Sequence, residues 1–99
     1  MTLRILLHAP TAGALDRARS NARNLLKLHP DAQLEIIANA GAAPGAVVLS
    51  DPETDPLVIV CTNSLNKQGL QAAPGQRQIA SAIAYLAQRQ IEGWQYVRT

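Results

Sequence analysis

The run Leu57-Val58-Ile59-Val60-Cys61 constrains this chain more than any other segment. It is continuous and apolar, β-branched through its middle, bounded by Pro56 before it and by Thr62-Asn63-Ser64 after it. A strand with no polar face needs cover on both sides. Parallel strands of α/β sheets are in that position, because their crossover helices lie on the two faces. The run therefore predicts a central, doubly covered strand that ends in a cysteine. The polar residues that follow are helix-capping types, so a short helix is expected over residues 64–70, closing near Gly69.

The rest of the chain fits around that strand. Leu3-Arg4-Ile5-Leu6-Leu7-His8 reads as a buried strand that stops at Ala9-Pro10. Residues 14–29 form an amphipathic helix. Leu15, Ala18, Ala22, Leu25 and Leu26 share its apolar face, while Arg19 and Arg23 fall on the polar one. Residues 33–40 give a second strand centred on Leu34-Glu35-Ile36-Ile37-Ala38. Gly41 to Gly45 is a small-residue turn, with a helical turn expected over 46–49. Ser50-Asp51-Pro52-Glu53-Thr54-Asp55-Pro56 is read as the most exposed and mobile loop. From Gln76 to Glu92 periodicity permits two readings. One is a single helix with Ile79, Ile83, Leu86 and Ile91 on one face. The other is a short extended piece over 76–80, then a helix capped by Ser81. Gly93 ends that helix, and Trp94-Gln95-Tyr96-Val97 reads as a last strand. Strands separated by helices imply parallel crossovers and a three-layer α/β domain.

Composition narrows the function. At 99 residues the chain is one small domain, residues 1–99, with little room for a deep site of its own. Apolar residues are 47% of it, but seventeen are Ala and none is Phe, while charged residues are only 16%. Such a surface fits a chain that hides part of itself in an oligomer. A net charge of +2, with no Lys/Arg run and no aromatic platform, excludes a nucleic-acid footprint. The short N-terminal apolar stretch is neither signal peptide nor membrane span, so the expected compartment is the cytoplasm. One cysteine and two separated histidines provide no metal-ligand spacing, and no cofactor motif is present.

In parallel sheets ligands gather beyond the carboxyl ends of the strands. Those ends carry His8, Asn39 to Gly41, and Cys61 to Ser64. Cys61 is the sharp candidate: a thiol just before a helix N-terminus has its thiolate favoured by unpaired N–H groups. Asn63, Ser64 and Gly41 are candidate ligand-binding residues beside it. The plainer reading makes Cys61 a small buried hydrophobe at a strand end. A Cys–His pair with His8 requires the two side chains to meet. Trp94 and Tyr96 point to one side of their strand, which fits core closure or a subunit contact.

Three segments carry a resemblance: Asn21-Ala22-Arg23-Asn24-Leu25-Leu26, Val60-Cys61-Thr62-Asn63-Ser64-Leu65, and Gln90-Ile91-Glu92-Gly93-Trp94-Gln95-Tyr96-Val97. In this order and spacing the chain resembles the DsrE/DsrF-like family of intracellular sulfur-oxidation proteins. The resemblance implies a three-layer α/β/α sandwich with a mostly parallel sheet of about five short strands, a flavodoxin-like architecture, with a fourth strand near residues 76–80, the last helix starting near Ser81, and a homotrimer or homohexamer. It also implies that Cys61 accepts sulfur as a persulfide and passes it to a sulfur-relay partner protein, at most as a sulfur-transfer carrier. The usual glycine-valine lead-in to the cysteine strand is replaced here by Asp55-Pro56. The alternative is a non-catalytic oligomeric α/β module that binds a small anionic ligand at the strand ends.

Overall fold

The computed structural model of the protein describes residues 2–99. Along the chain run β1 (Arg4–Ala9), α1 (Ala12–Leu28), β2 (Gln33–Ala38), α2 (Ala43–Ala46), β3 (Val58–Cys61), α3 (Thr62–Gln68), β4 (Arg77–Ile79), α4 (Ala82–Ile91) and β5 (Gln95–Arg98). Tight 3-10 turns at Ala40–Ala42 and Asp55–Leu57 lead into α2 and β3. Every strand pairing is parallel, and the order across the sheet is β4-β3-β2-β1-β5. The predicted α/β class with five strands is what the chain adopts. The central strand, however, is β2. The apolar β3 lies one place in from the β4 edge and is buried throughout because helices cover it on both faces.

Strand order dictates where the helices go. The steps β1 to β2 to β3 to β4 all move the same way across the sheet, and right-handed crossovers put their connections on one face. The return from β4 to β5 spans the whole sheet in the opposite sense, so α4 falls on the other face. The core divides accordingly. On the first face Ile5, Leu7, Ile36, Val58 and Val60 pack against Ala14, Ala18 and Ala22 of α1, Ala43 and Ala46 of α2, and Leu65 of α3. Alanine at these helix positions lets α1 lie close to the sheet. On the second face Leu6, Ile37, Ile59 and Cys61 meet Ala82 and Leu86 of α4, with Trp94 closing the layer.

Local chemistry accounts for the boundaries. The Thr11 hydroxyl caps α1 by accepting from the Ala14 N–H at 3.0 Å, and Ser81 caps α4 by accepting from Ala84 at 3.3 Å. The second reading of residues 76–92, a short strand followed by a Ser81-capped helix, is therefore the one adopted. Ile83 and Ile91 do not join the core; they are 67% and 88% exposed. The small-residue segment after β2 is helical over Ala43–Ala46, earlier than the expected turn at 46–49. Gly69, left-handed at φ 64°, ends α3 with the Leu70 N–H donating to the Leu65 carbonyl at 2.9 Å.

The Pro-containing loop differs most from expectation. Thr54 is fully buried, and the loop is tied to α1. Arg19, itself buried, donates to the Thr54 hydroxyl at 2.7 Å and to the Asp55 carboxylate at 2.8 Å. Arg23 pairs with Asp51, whose carboxylate also accepts from Thr54. The two arginines that looked solvent-facing thus hold the loop's own acids, and a segment read as mobile is fastened to the first helix. Partners more than twenty residues apart leave no trace in local hydropathy.

Candidate functional site

Adjacent strands whose following helices depart to opposite faces open a crevice at their carboxyl ends. In this sheet the crevice lies between β3 and β4, since β3 runs into α3 on one face and β4 into α4 on the other. Cys61 is the last residue of β3 and is paired in register with Ile79, the last of β4. The thiol therefore sits at the one place where the first turns of two helices converge. A cavity of about 310 Å³ opens there, lined by Cys61 together with Asn39, Ser64, Lys67, Ser81 and Ile83. Its lining contains a cation and no acidic side chain.

Cys61 is only 4% exposed, and burial alone would push its thiol up. Against burial act the Ser64 N–H, the Ala82 N–H, the Ser64 hydroxyl and the Asn63 N–H, and together they hold the thiol below its ordinary value. Ala82 opens α4, whereas Asn63 and Ser64 belong to α3. Of the three candidate ligand-binding residues, Asn63 and Ser64 border the cavity with Cys61. Gly41 does not line the cavity. Its N–H donates to the Pro10 carbonyl at 3.0 Å, and its α-carbon faces the Pro10-Thr11 backbone.

The Ser64 hydroxyl is oriented by the chain just past β2. Ala40 is the single non-glycine residue at positive φ among those described, at 47°. That conformation turns its N–H to Ser64 Oγ at 2.8 Å, while its carbonyl accepts from Gln68 Nε2 at 2.8 Å. This donor fixes the Ser64 hydroxyl at the rim of the Cys61 cavity. A left-handed alanine costs about 1–2 kcal/mol, which the bonds to Ser64 and Gln68 offset.

A second polar group stands at the same end of the sheet. His8 has its Nδ1 2.6 Å from the Tyr96 hydroxyl and its Nε2 3.0 Å from Asn39 Oδ1. In the neutral ring, Nε2–H donates to Asn39 and Nδ1 accepts from Tyr96. Both ring nitrogens are thus occupied by residues other than Cys61, which removes the geometric basis for a Cys–His pair. The arrangement instead fixes Asn39, whose side chain borders the cavity. Tyr96 and His8 are 88 residues apart, and only the β1–β5 pairing brings them together.

At the opposite end of the same face lies a group that sequence reading missed. Glu35 of β2 is 5% exposed and accepts from Tyr85 Oη at 2.6 Å, Arg89 Nη2 at 2.9 Å and Arg77 Nη2 at 3.2 Å. Burial works against the Arg89 charge, but Glu35, Tyr85 and Glu92 outweigh it and hold Arg89 above its ordinary value. Burial and the Glu35 carboxylate push the Tyr85 phenol up. Arg89 also lies 4.8 Å from the Trp94 ring centroid. A glutamate set among Leu34, Ile36 and Ile37 was the one available signal. This group anchors α4, the helix whose first N–H reaches Cys61.

No protein-family model matches this sequence, and neither does any curated protein. A solved structure does match: a protein of unknown function from Methanobacterium thermoautotrophicum, with a TM-score of 0.80 over 98% of this chain and 99% of that chain. Sequence identity is 23%, so the likeness establishes the α/β fold alone. Among the described residues no group of three or more His, Cys, Asp or Glu is placed to hold a metal ion, and no helix is long and apolar enough to cross a membrane.

Proposed function

We propose that this protein is a sulfur carrier that works through Cys61, in the manner the DsrE/DsrF-like resemblance implies. The observation that carries the reading is the place of Cys61 at the carboxyl end of β3, in a cavity of about 310 Å³ lined by a lysine and no carboxylate, where α3 and α4 both begin. In the forward step the Cys61 thiolate attacks the outer sulfur of a sulfane donor. The donor's S–S bond breaks, its remaining thiolate leaves with the bonding electron pair, and Cys61 keeps the outer sulfur as a persulfide. A partner's thiolate then attacks that outer sulfur, and Cys61 departs as thiolate. Neither step needs an external oxidant. The donors around Sγ stabilise both the attacking thiolate and the departing one, and the acid-free cavity accommodates the added anionic sulfur.

The chain then acts in a reducing, cytoplasmic setting, where a lone thiol stays free, and within a homo-oligomer that supplies the walls a small domain lacks. Intact-mass measurement after exposure to polysulfide tests the reading. The expected result is a gain of one sulfur per chain, reversed by dithiothreitol and absent from Cys61→Ser. Sulfur uptake that survives Cys61→Ser would refute it. The same cavity also suits the alternative, a non-catalytic anion-binding module. That alternative predicts anion binding unchanged by Cys61→Ser and no mass gain in the unmodified chain.

A further inference from the structure

The β5 strand breaks the rule that the rest of the sheet obeys. Parallel strands are ordinarily covered on both faces, yet all four residues of β5 are exposed. It is an edge strand, and one side of its backbone has no partner. The Thr99 N–H donates to the His8 carbonyl of β1 at 2.9 Å. Alternate residues of a strand direct their backbone groups to the same side, so Gln95 and Val97 also face β1. Tyr96 and Arg98 therefore turn their N–H and C=O groups outward. No proline, lysine or bulge protects this edge, the usual devices against pairing. The opposite edge is different: β4 has three residues, and its Arg77 is turned inward to Glu35.

The side chains of β5 are self-complementary about Val97. Val97 pairs with Leu7 and faces the α1 side, where with Ile5, Leu7, Leu25 and Leu28 it borders an open apolar groove of about 370 Å³. Val97 is 44% exposed and Leu28 74%. Tyr96 and Arg98 point to the other face, alongside Leu6 and His8. Antiparallel pairing with an identical strand, centred on Val97, sets Tyr96 against Arg98 of the second copy and Arg98 against its Tyr96. Those are the residues whose backbone groups face outward, so every free group finds a partner. The centre is a non-hydrogen-bonded pair, which brings the two valines together and joins the two apolar grooves. On the other face each guanidinium meets a phenol ring, a favourable cation–π pairing. Shifting the register by one residue opposes inward-facing backbone to outward-facing backbone and loses these bonds.

We propose that the outer edge of β5 is a two-fold docking surface for a second copy of this chain, joined as an antiparallel β5–β5 ladder centred on Val97. A two-fold contact closes on itself, which explains how an unprotected edge avoids open-ended pairing. β5 lies three strands from β3, so this contact does not wall the Cys61 cavity; the proposal is independent of the sulfur-carrier reading and stands on β5 alone. Sulfur loading at Cys61 is scored separately from assembly, so either can fail without the other.

Particle mass by light scattering tests it. The full chain is expected to sediment and scatter as an assembly containing the dimer. Val97→Lys sets two like charges directly opposite each other, which destabilises the pair. Arg98→Pro removes an outward N–H while leaving the bonds to β1 in place. Each is expected to lower the mass by about twofold with an unchanged circular-dichroism spectrum, and mixing Val97→Lys with Val97→Glu is expected to restore it. Val97→Cys in a Cys61→Ser background is expected to cross-link on mild oxidation, because non-hydrogen-bonded antiparallel partners approach to about 4.5 Å between α-carbons. A chain that is monomeric at all concentrations, an assembly that survives both Val97→Lys and Arg98→Pro, or a Val97→Cys chain that never cross-links would overturn the proposal.

Discussion

Glu35→Gln isolates the contribution of the charged group that fastens α4 to the sheet. The carboxylate is 5% exposed and is served by three side chains of unequal worth. The Arg77 side chain is 52% exposed, so its 3.2 Å contact is screened and contributes at most about 1 kcal/mol. The Arg89 side chain is 27% exposed and meets Glu35 through both Nε and Nη2, at 3.2 and 2.9 Å. Tyr85 adds a 2.6 Å bond. A hydrogen bond to a charged group contributes about 1.5–3 kcal/mol, and these share one acceptor, so they do not add in full. Glutamine keeps the shape and one acceptor oxygen but leaves Arg89 without its counter-charge. The expected loss is about 2–4 kcal/mol by urea titration, with the melting temperature lowered by about 10–25 °C. Arg77→Ala is the internal control and should cost about 1 kcal/mol or less. Since α4 also delivers the Ala82 N–H to Cys61, Glu35→Gln should raise the midpoint of the Cys61 alkylation profile as well. A loss below about 1 kcal/mol would mean that the group is effectively solvated and does not hold α4.

Further outcomes follow from the same geometry. In the unmodified chain the pH midpoint for iodoacetamide alkylation of Cys61 should lie below that of a free thiol, about 8.5, and Ser64→Ala should move it upward; an unmoved midpoint would show that the Ser64 hydroxyl does not reach the sulfur. The folded chain ionises Cys61 more readily than the unfolded chain, so stability should rise with pH from the lowered folded value up to about 8.5 and fall as pH drops through the folded value; Cys61→Ser should flatten that part of a urea-midpoint-against-pH curve. Arg19→Ala leaves Asp55 and buried Thr54 without their donor, at an expected cost of about 3–5 kcal/mol, and a Glu-specific protease should then cut after Glu53 about tenfold faster. Gly93→Ala should cost about 1–3 kcal/mol by calorimetry, because Gly93 has φ 98° and an added Cβ would lie 2.6 Å from Arg4 Nη2.

What the sequence revealed divides along the range of the interactions. The first three strands, β5, α1 and the stop at Gly93 are written in short-range hydropathy, capping and glycine placement; α3 begins at Thr62, two residues before the expected start, with Cys61 at its N-cap and the expected capping residues inside its first turn. The β4–α4 boundary was not settled by periodicity, because Ile79, Ile83, Leu86 and Ile91 mimic a helix face even though Ile83 and Ile91 are solvent-exposed. Ser81 was the stronger signal. Strand order was invisible, and with it the central position of β2 and the crevice between β3 and β4. The same holds for Arg19 with Thr54 and Asp55, His8 with Tyr96, and Glu35 with Arg89. Each partner is an unremarkable polar residue in its own segment, and its burial becomes tolerable only when another segment arrives. That Cys61, Asn63 and Ser64 lie together was legible because one strand end and one helix start carry all three. Ala82, Asn39 and Ala40 were not, since they reach the cavity from other elements.

The sulfur-carrier proposal sets two conflicting needs: the thiol must be shielded from solvent, and it must ionise. Shielding alone raises a thiol pKa, and one short helix start would have to oppose that by itself. The return crossover from β4 to β5 changes the balance. It sends α4 across the second face with its first N–H toward Cys61, so donors from two independently anchored helices act on one sulfur. The anchor of α3 is the left-handed Ala40, bonded to Ser64 and Gln68. The anchor of α4 is Glu35, at the far end of the same sheet face. On this reasoning the buried charged group contributes to reactivity as well as to stability, and the two should move together when Glu35 is changed. Ala40→Gly separates them: it relieves backbone strain and leaves the α4 anchor intact, so any change in Cys61 ionisation would come through Ser64 alone.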